Sequence, residues 1–135
     1  MSENHEQREL LLLRAGARRA AVYADEAEGV VEWREPVPLP HAPPAVLGVV
    51  SVRGRMRTVL DLAALLGGTE ANEEAAVAPR LLIVLRGDEQ LALAADHAEA
   101  VSAPPAGEAV HRLDPAHLFA AATQGAERRR KRQEP

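Results

Sequence analysis

From Glu9 onward the chain divides into short apolar runs separated by polar or glycine-bearing breaks, without the sustained 3.6-residue period of a long amphipathic helix. Leu10–Leu13 is followed by Gly16, Arg18 and Arg19, then by Ala20–Ala24 with Val22 and Tyr23. The leucines alone suit a helix equally well, but an early glycine turn and a second short apolar run predict a β-hairpin. Val30, Val31 and Trp33 predict a third strand. Pro36, Pro38, Pro40, Pro43 and Pro44 come next. Proline has no N–H for a strand ladder, so this segment predicts a surface crossover. Beyond it, Val46–Val52 and Met56–Leu62 flank the turn Arg53-Gly54-Arg55 and predict a second hairpin.

Asp61 stands where a helix N-cap would. Leu62, Leu65 and Leu66 share one face behind it, and Gly67-Gly68 supplies a stop, which predicts two turns of helix over 61–66. Residues 69–78 are small and acidic and predict a flexible linker. Leu81–Leu85, the turn Gly87-Asp88, Leu91–Ala95 and Ala98–Val101 then predict three strands, ended by Pro104-Pro105. Val110–Leu113 predicts one more, and Asp114-Pro115 places a cap and a first-turn proline ahead of a helix through Ala122. The same succession of strand, polar turn, strand and short third strand occurs on both sides of 69–78. One domain made of two similar subdomains is therefore expected over 9–123, between a disordered N-terminus at 1–8 and a basic, disordered tail at 124–135.

Composition narrows the chemistry. Of the 135 residues, 47% are hydrophobic and 27% charged, the balance of a globular domain. There is no cysteine, which removes disulfides, thiolate metal sites and cysteine nucleophiles, and no apolar stretch approaches the ~20 residues of a membrane span. A cytoplasmic protein without membrane insertion is expected. The net charge of −4 hides an asymmetry: Arg128, Arg129, Arg130, Lys131 and Arg132 are five successive cations, and the chain before them carries −8. An acidic body with only Tyr23, Trp33 and Phe119 as aromatics argues against nucleic acid as a partner of the folded part, because binding there needs a basic face and stacking platforms.

Catalytic patterns are scarce. His5, His41, His97, His111 and His117 do not have the spacing that sets two imidazoles over a zinc ion. Ser2, Ser51 and Ser102 lack a nucleophile elbow, and no glycine-rich phosphate loop is present. Glu73 and Glu74 lie in the linker and read as solvation. No catalytic residue, metal ligand or cofactor is assigned, and an enzyme is not expected.

The most distinctive stretch is Pro38-Leu39-Pro40-His41-Ala42-Pro43-Pro44, then Ala45-Val46-Leu47-Gly48-Val49-Val50-Ser51-Val52-Arg53-Gly54-Arg55, continued by Val59-Leu60-Asp61-Leu62. It resembles the CheW family of chemotaxis adaptors, whose members carry a proline-flanked loop, a Gly-Val-Val-x-x-Arg-Gly strand and turn, and a Val-x-Asp-Leu helix start. The resemblance spans roughly 9–119 when Ala94-Ala95-Asp96 is set against the family's Val-Asp and Leu113-Asp114-Pro115 with Leu118 against its closing helix. It implies a mainly β fold of two small SH3-like β-barrels with short helices. It also implies a non-enzymatic adaptor that couples a chemoreceptor, a methyl-accepting chemotaxis protein, to a CheA-type histidine kinase.

Carried over by motif, the partner-binding positions are Ala27, Val30, Gly48, Arg53, Gly54 and Ala98. Each also has a structural reading: Gly48 as a close backbone approach, Gly54 as turn geometry, Arg53 as a solvated turn residue, and Trp33 as a core anchor. Departures from the family pattern are Ser51 for asparagine, Thr58 for proline, Ala27-Glu28-Gly29-Val30 for Val-x-Glu-Val, and Ala98 for valine. Each alanine for valine, at 27 and 98, removes roughly 1–2 kcal/mol of apolar contact and implies a shallower receptor groove. Only eleven residues separate Val101 from Leu113, so the second barrel is expected to be one strand short. That would leave an open strand edge between Arg80 and Leu113, covered by the helix from Asp114 through Leu118 and Phe119. A monomer is expected, with dimerisation through such an edge as the alternative. Two further readings stay open: a truncated relative that binds one of the two partners, and a nucleic-acid-associated protein acting through its arginine tail.

Overall fold

Leu10–Ala15 (β1) and Arg18–Tyr23 (β2) form the first hairpin, with Ala15 opposite Arg18 and Gly16 in the left-handed region. In the computed structural model, which describes residues 9–67, 78–87, 89–102 and 110–123, a 3-10 turn at Ala24–Glu26 leads into Ala27–Glu32 (β3). The second hairpin follows the proline crossover as Val46–Val52 (β4) and Arg55–Asp61 (β5). Leu62–Leu65 (α1), Leu81–Leu85 (β6), Leu91–Ala95 (β7), His97–Val101 (β8), His111–Arg112 (β9) and a helix over 115–123 (α2) complete the described elements. The mainly β expectation and both helix sites hold, although α1 has four residues, two fewer than the predicted 61–66. Asp61 caps it as expected, accepting a hydrogen bond from Ala63 N at 3.2 Å.

The proline crossover contributes more than a surface path. Val37 donates to Val49 O at 2.8 Å and accepts from Val49 N at 2.9 Å, an isolated bridge on the edge of β4. The prolines cannot donate, but Val37 between Pro36 and Pro38 can, so the segment pairs at that one residue.

Two sheets result, in the orders β8-β1-β2-β9 and β3-β6-β7-β5-β4. The expected split into one subdomain on each side of 69–78 is not how the strands pair. β1 and β2 join β8 and β9, whereas β3, β4 and β5 join β6 and β7. Residues 68–77, most of the expected linker, lie outside the described residues, as do 1–8 and 124–135. Among the described residues the smaller sheet has four strands and the larger five, and 103–109, where the expected missing strand would fall, lie outside the described residues.

Pairing moves the expected edge between Arg80 and Leu113 away from 81–85 and 91–95: β8 and β9 are the edges of the four-stranded sheet, while β6 and β7 are interior strands of the five-stranded sheet, whose edges are β3 and β4. Their sequences say why: Leu81–Leu85 and Leu91–Ala95 are continuous apolar runs because both faces of this sheet are covered. Ile83, Leu85, Leu91, Leu93 and Ala95 point to a core shared with Leu13, Ala20 and Val22 of the smaller sheet. Leu82, Val84, Ala92 and Ala94 point the other way, to a second core with Val50, Val52 and Val59, against which Val31 and Trp33 pack. Each fully buried Leu, Ile or Val contributes about 1.5–3 kcal/mol. In α2, Leu118 and Ala122 lie four residues apart and enter the first core beside Leu113, whereas Phe119, expected to cover the edge with Leu118, is 40% exposed.

Charge at the helix starts follows burial. The Asp61 carboxyl is pushed above its ordinary value by partial burial, opposed by the N–H groups of Ala63 and Ala64. Asp114 moves below its ordinary value through its hydrogen bonds with His117 Nδ1 at 2.8 Å and Ala116 N at 3.1 Å. A raised carboxyl means that the folded chain takes up a proton more readily than the unfolded one, so ionised Asp61 subtracts from stability at neutral pH. Asp61→Asn keeps an oxygen for Ala63 N. We expect it to raise the urea midpoint at pH 7, with the gain shrinking as pH falls through the folded-state value and vanishing below the ordinary value of 3.8. A gain of equal size at all pH values would show that the buried charge is not its source.

Candidate protein interface

The β4–β5 turn projects a compact polar group from one end of the larger sheet. Val52 and Arg55 are the last pair, and the two residues between them, Arg53 and Gly54, have φ of 53° and 77°. Two successive positive φ values make the tight hairpin turn that matches strand twist. Glycine enters this region freely, but an L-residue such as arginine pays about 1–2 kcal/mol of steric strain there. The side chain held at this cost is exposed.

Its guanidinium reaches back across the open side of the sheet. Arg53 Nη1 donates to the main-chain carbonyl of Glu28 at 3.1 Å. A Cβ built on Gly29 would lie 2.5 Å from Arg53 Nη2 and 2.9 Å from Cζ, so the guanidinium lies where a larger residue would displace it. Beside it, Arg34 Nη1 donates to Ser51 O at 2.8 Å, and Arg57 Nη2 pairs with Glu28 Oε1 at 3.1 Å. Three arginines thus bridge the β3 side to β4 and β5, where no backbone ladder joins β3 to β4 among the described residues. The sheet curls until its edges are within side-chain reach.

Arg57 was not singled out by the sequence reading, although a signal was there. Alternation along Arg55-Met56-Arg57-Thr58-Val59 sets Arg57 on the same face as Val59, toward the second core. It is 2% exposed, and its Nε has no hydrogen-bond partner among the described residues. An orphaned buried donor costs about 1–3 kcal/mol, and buried ion pairs are often replaceable by apolar side chains without loss. Gly29 is not among the expected partner-binding positions; its one mark in the sequence is that glycine stands where the resembling family has glutamate, and the Arg53 side chain that lies over it comes from elsewhere in the chain.

The other predicted positions separate into two groups. Val30 lies opposite Ile83 and is 43% exposed, one residue from the Arg53 guanidinium platform. Ala27 is half-buried opposite Leu85, with a bulge between it and Gly29, and Ala98 is half-buried on β8 opposite Leu13; both pack against the first core. Ala98 belongs to the other sheet. Gly48 has the geometry of its structural reading: it is buried at φ 145°, and a Cβ there would lie 2.2 Å from Val37 O and 2.6 Å from Val37 C, so the crossover packs directly on it. Trp33 packs on the second core, as its structural reading has it, and its N–H continues the β3 pairing to Arg80 O at 3.1 Å. Exposed apolar side chains near the turn are Met56, 56% exposed and opposite Ser51, and Val37, 64% exposed and opposite Val49.

The arrangement offers recognition rather than bond chemistry: exposed guanidinium groups, a rigid turn and flanking apolar side chains. Among the described residues, no three His, Asp or Glu side chains stand together as metal ligands. A cavity of about 480 Å³ opens elsewhere, between Asp25, Arg86, Gln90 and the start of α2 at Asp114. No helix among the described residues is long and apolar enough to cross a membrane.

Comparison with known proteins gives concordant results. The model of the CheW-like domain matches residues 9–128. A chemotaxis protein CheW of Rhizobium meliloti is 37% identical over 60 residues, which is 44% of this chain and 39% of that protein. A probable chemotaxis protein CheW of Rhizobium etli is 34% identical over 74 residues, 55% of this chain and 48% of that protein. In both cases the match spans less than half the length of the curated relative. The crystal structure of scaffolding protein TtCheW from Thermoanaerobacter tengcongensis superposes with a TM-score of 0.66 at 14% identity, covering 84% of this chain and 92% of that one.

Proposed function

The chain belongs to the CheW-like domain family, and from that premise we propose that it is a non-enzymatic chemotaxis adaptor, bound on one side to a chemoreceptor's cytoplasmic tip and on the other to a CheA-type histidine kinase. The observation that carries the reading is Arg53. It is exposed, held in a strained backbone conformation, and laid over Gly29 by the Glu28 carbonyl. Strain at a residue whose side chain faces solvent points to a contact outside the chain. Arginine is also among the residues that dominate interface energetics. Gly54 completes the turn and Val30 supplies apolar surface beside it.

A second reading has its own observation. Ala27 and Ala98 are half-buried and packed inward, which leaves less apolar surface for a receptor groove. A chain that keeps the kinase contact and binds receptor weakly fits that packing. Titration of the purified protein with a soluble CheA-type kinase and, separately, with a receptor tip fragment separates the two. Binding to both supports the adaptor, binding to the kinase alone supports the reduced relative, and binding to neither overturns both.

The arginine tail supplies a control. Truncation after residue 127 removes Arg128–Pro135 and with them five cations. Because like charges repel and do not pack, we expect the truncated protein to keep its thermal midpoint and its affinity for either protein partner within about twofold. If truncation abolished all binding and the intact protein's binding collapsed with salt, a nucleic-acid role for the tail would replace the adaptor reading.

A further inference from the structure

Glu28 is shared by two arginines through two different groups. Its carboxylate pairs with Arg57 Nη2, and its main-chain carbonyl accepts from Arg53 Nη1, each at 3.1 Å. The two guanidinium groups differ in surroundings. Arg57 is buried on the face that carries Val50, Val52 and Val59, with one donor left unpaired, while Arg53 is exposed and among the described residues makes that single hydrogen bond. An unpaired donor on a core face argues that Arg57 is not there for the core, since a valine would pack as its neighbours do. What Arg57 does is bond the carboxylate of the same residue whose main-chain carbonyl holds Arg53. Arg57 Nη2 holds that carboxylate through one N–H···O bond at Oε1, and among the described residues no bond joins the carboxylate to Arg53.

We propose that Arg57 is a positioning residue that withholds the Glu28 carboxylate from Arg53, so that Arg53 presents an uncompensated guanidinium fork whose counterpart on the partner is an aspartate or glutamate carboxylate. The inference rests on the reading of Arg53 as a partner contact. Without Arg57, the Glu28 carboxylate turns to the nearest exposed guanidinium, already bonded to the same residue, and competes with the partner for it. The main-chain bond from Arg53 to Glu28 O does not depend on the carboxylate, so Glu28 itself is dispensable for binding once Arg57 is gone.

The test uses affinity for the CheA-type kinase, with thermal midpoints measured in parallel. Arg57→Val is expected to weaken binding about tenfold, and Arg57→Val with Glu28→Gln to restore it to within about twofold of the unmodified protein, because the competing charge is gone. Should Arg57→Val fail to fold, Glu28→Gln alone keeps the question open to decision: it is expected to bind within about twofold, and a large loss would overturn the proposal by showing that the carboxylate serves Arg53. Unchanged binding by Arg57→Val, or a loss not rescued in the double variant, would equally overturn it. Among Asp→Asn and Glu→Gln variants of the kinase, at least one should lose affinity for the unmodified protein and lose nothing further against Arg53→Ala; no such coupling would refute the carboxylate counterpart. If Arg53→Ala itself binds normally, the failure belongs to the reading of Arg53 rather than to Arg57.

Discussion

Gly48→Ala is expected to destabilise the fold by about 2–6 kcal/mol, the sum of two separate penalties. A left-handed or otherwise disfavoured backbone costs an L-residue about 1–3 kcal/mol, and overpacking a closed site costs about 1–3 kcal/mol more. Both apply, because Gly48 has φ 145° and a Cβ there would overlap the carbonyl of Val37, itself fixed by two hydrogen bonds to Val49. The neighbour is backbone and cannot swing aside. With a domain stability of about 5–15 kcal/mol, such a loss leaves a large unfolded fraction on modest warming. Gly54→Ala is the internal control: its φ is 77°, but a Cβ would meet nothing within 4 Å, so only the conformational cost of about 1–2 kcal/mol remains. Urea unfolding of the two variants should therefore differ widely in midpoint. Equal midpoints would mean that the crossover does not close over β4.

Arg53→Glu is expected to weaken partner binding tenfold or more, with a thermal midpoint close to that of the unmodified protein. Reversing an exposed charge costs an interface its electrostatic complementarity, while a solvent-facing turn residue contributes little to folding. Arg53→Gly separates the two roles further. Glycine occupies φ 53° without strain, so this variant should be more stable than the unmodified protein by up to about 1 kcal/mol while binding more weakly. Stability gained and affinity lost at one position is the signature of a residue kept for its contact. If Arg53→Gly lowered the midpoint, the bond to Glu28 O would be the reason for the arginine, and the interface reading of this turn would fall.

Much of the fold was legible in the sequence wherever the signal was local. The Arg53-Gly54 break located the β4–β5 hairpin, Asp61 and Asp114 marked both helix starts, and the apolar runs at 81–85 and 91–95 marked buried strands with the bounds observed. Partner choice was not legible, because a run such as Leu81–Leu85 states that both of its faces are buried and not which strands flank it. The rhyme between the two sides of 69–78 suggested separate subdomains, yet β1 and β2 find their ladders with β8 and β9 from the far side. Within the candidate site, the turn residues were legible from their motif. The contact of Gly29 was not, since the guanidinium that lies over it arrives from 24 residues later in the chain. Arg57 was within reach, as an arginine that alternation sets on the same face of the strand as Val59.

The adaptor claim is tested most directly by reconstituting receptor-coupled kinase activity from purified parts. A receptor tip fragment and a CheA-type kinase are mixed with and without this protein, and kinase autophosphorylation is followed. The account predicts that receptor-dependent autophosphorylation appears when the protein is added and is absent when it is omitted or replaced by Arg53→Glu. An unchanged rate on adding the folded, unmodified protein, with neither receptor nor kinase co-sedimenting with it, would contradict the account.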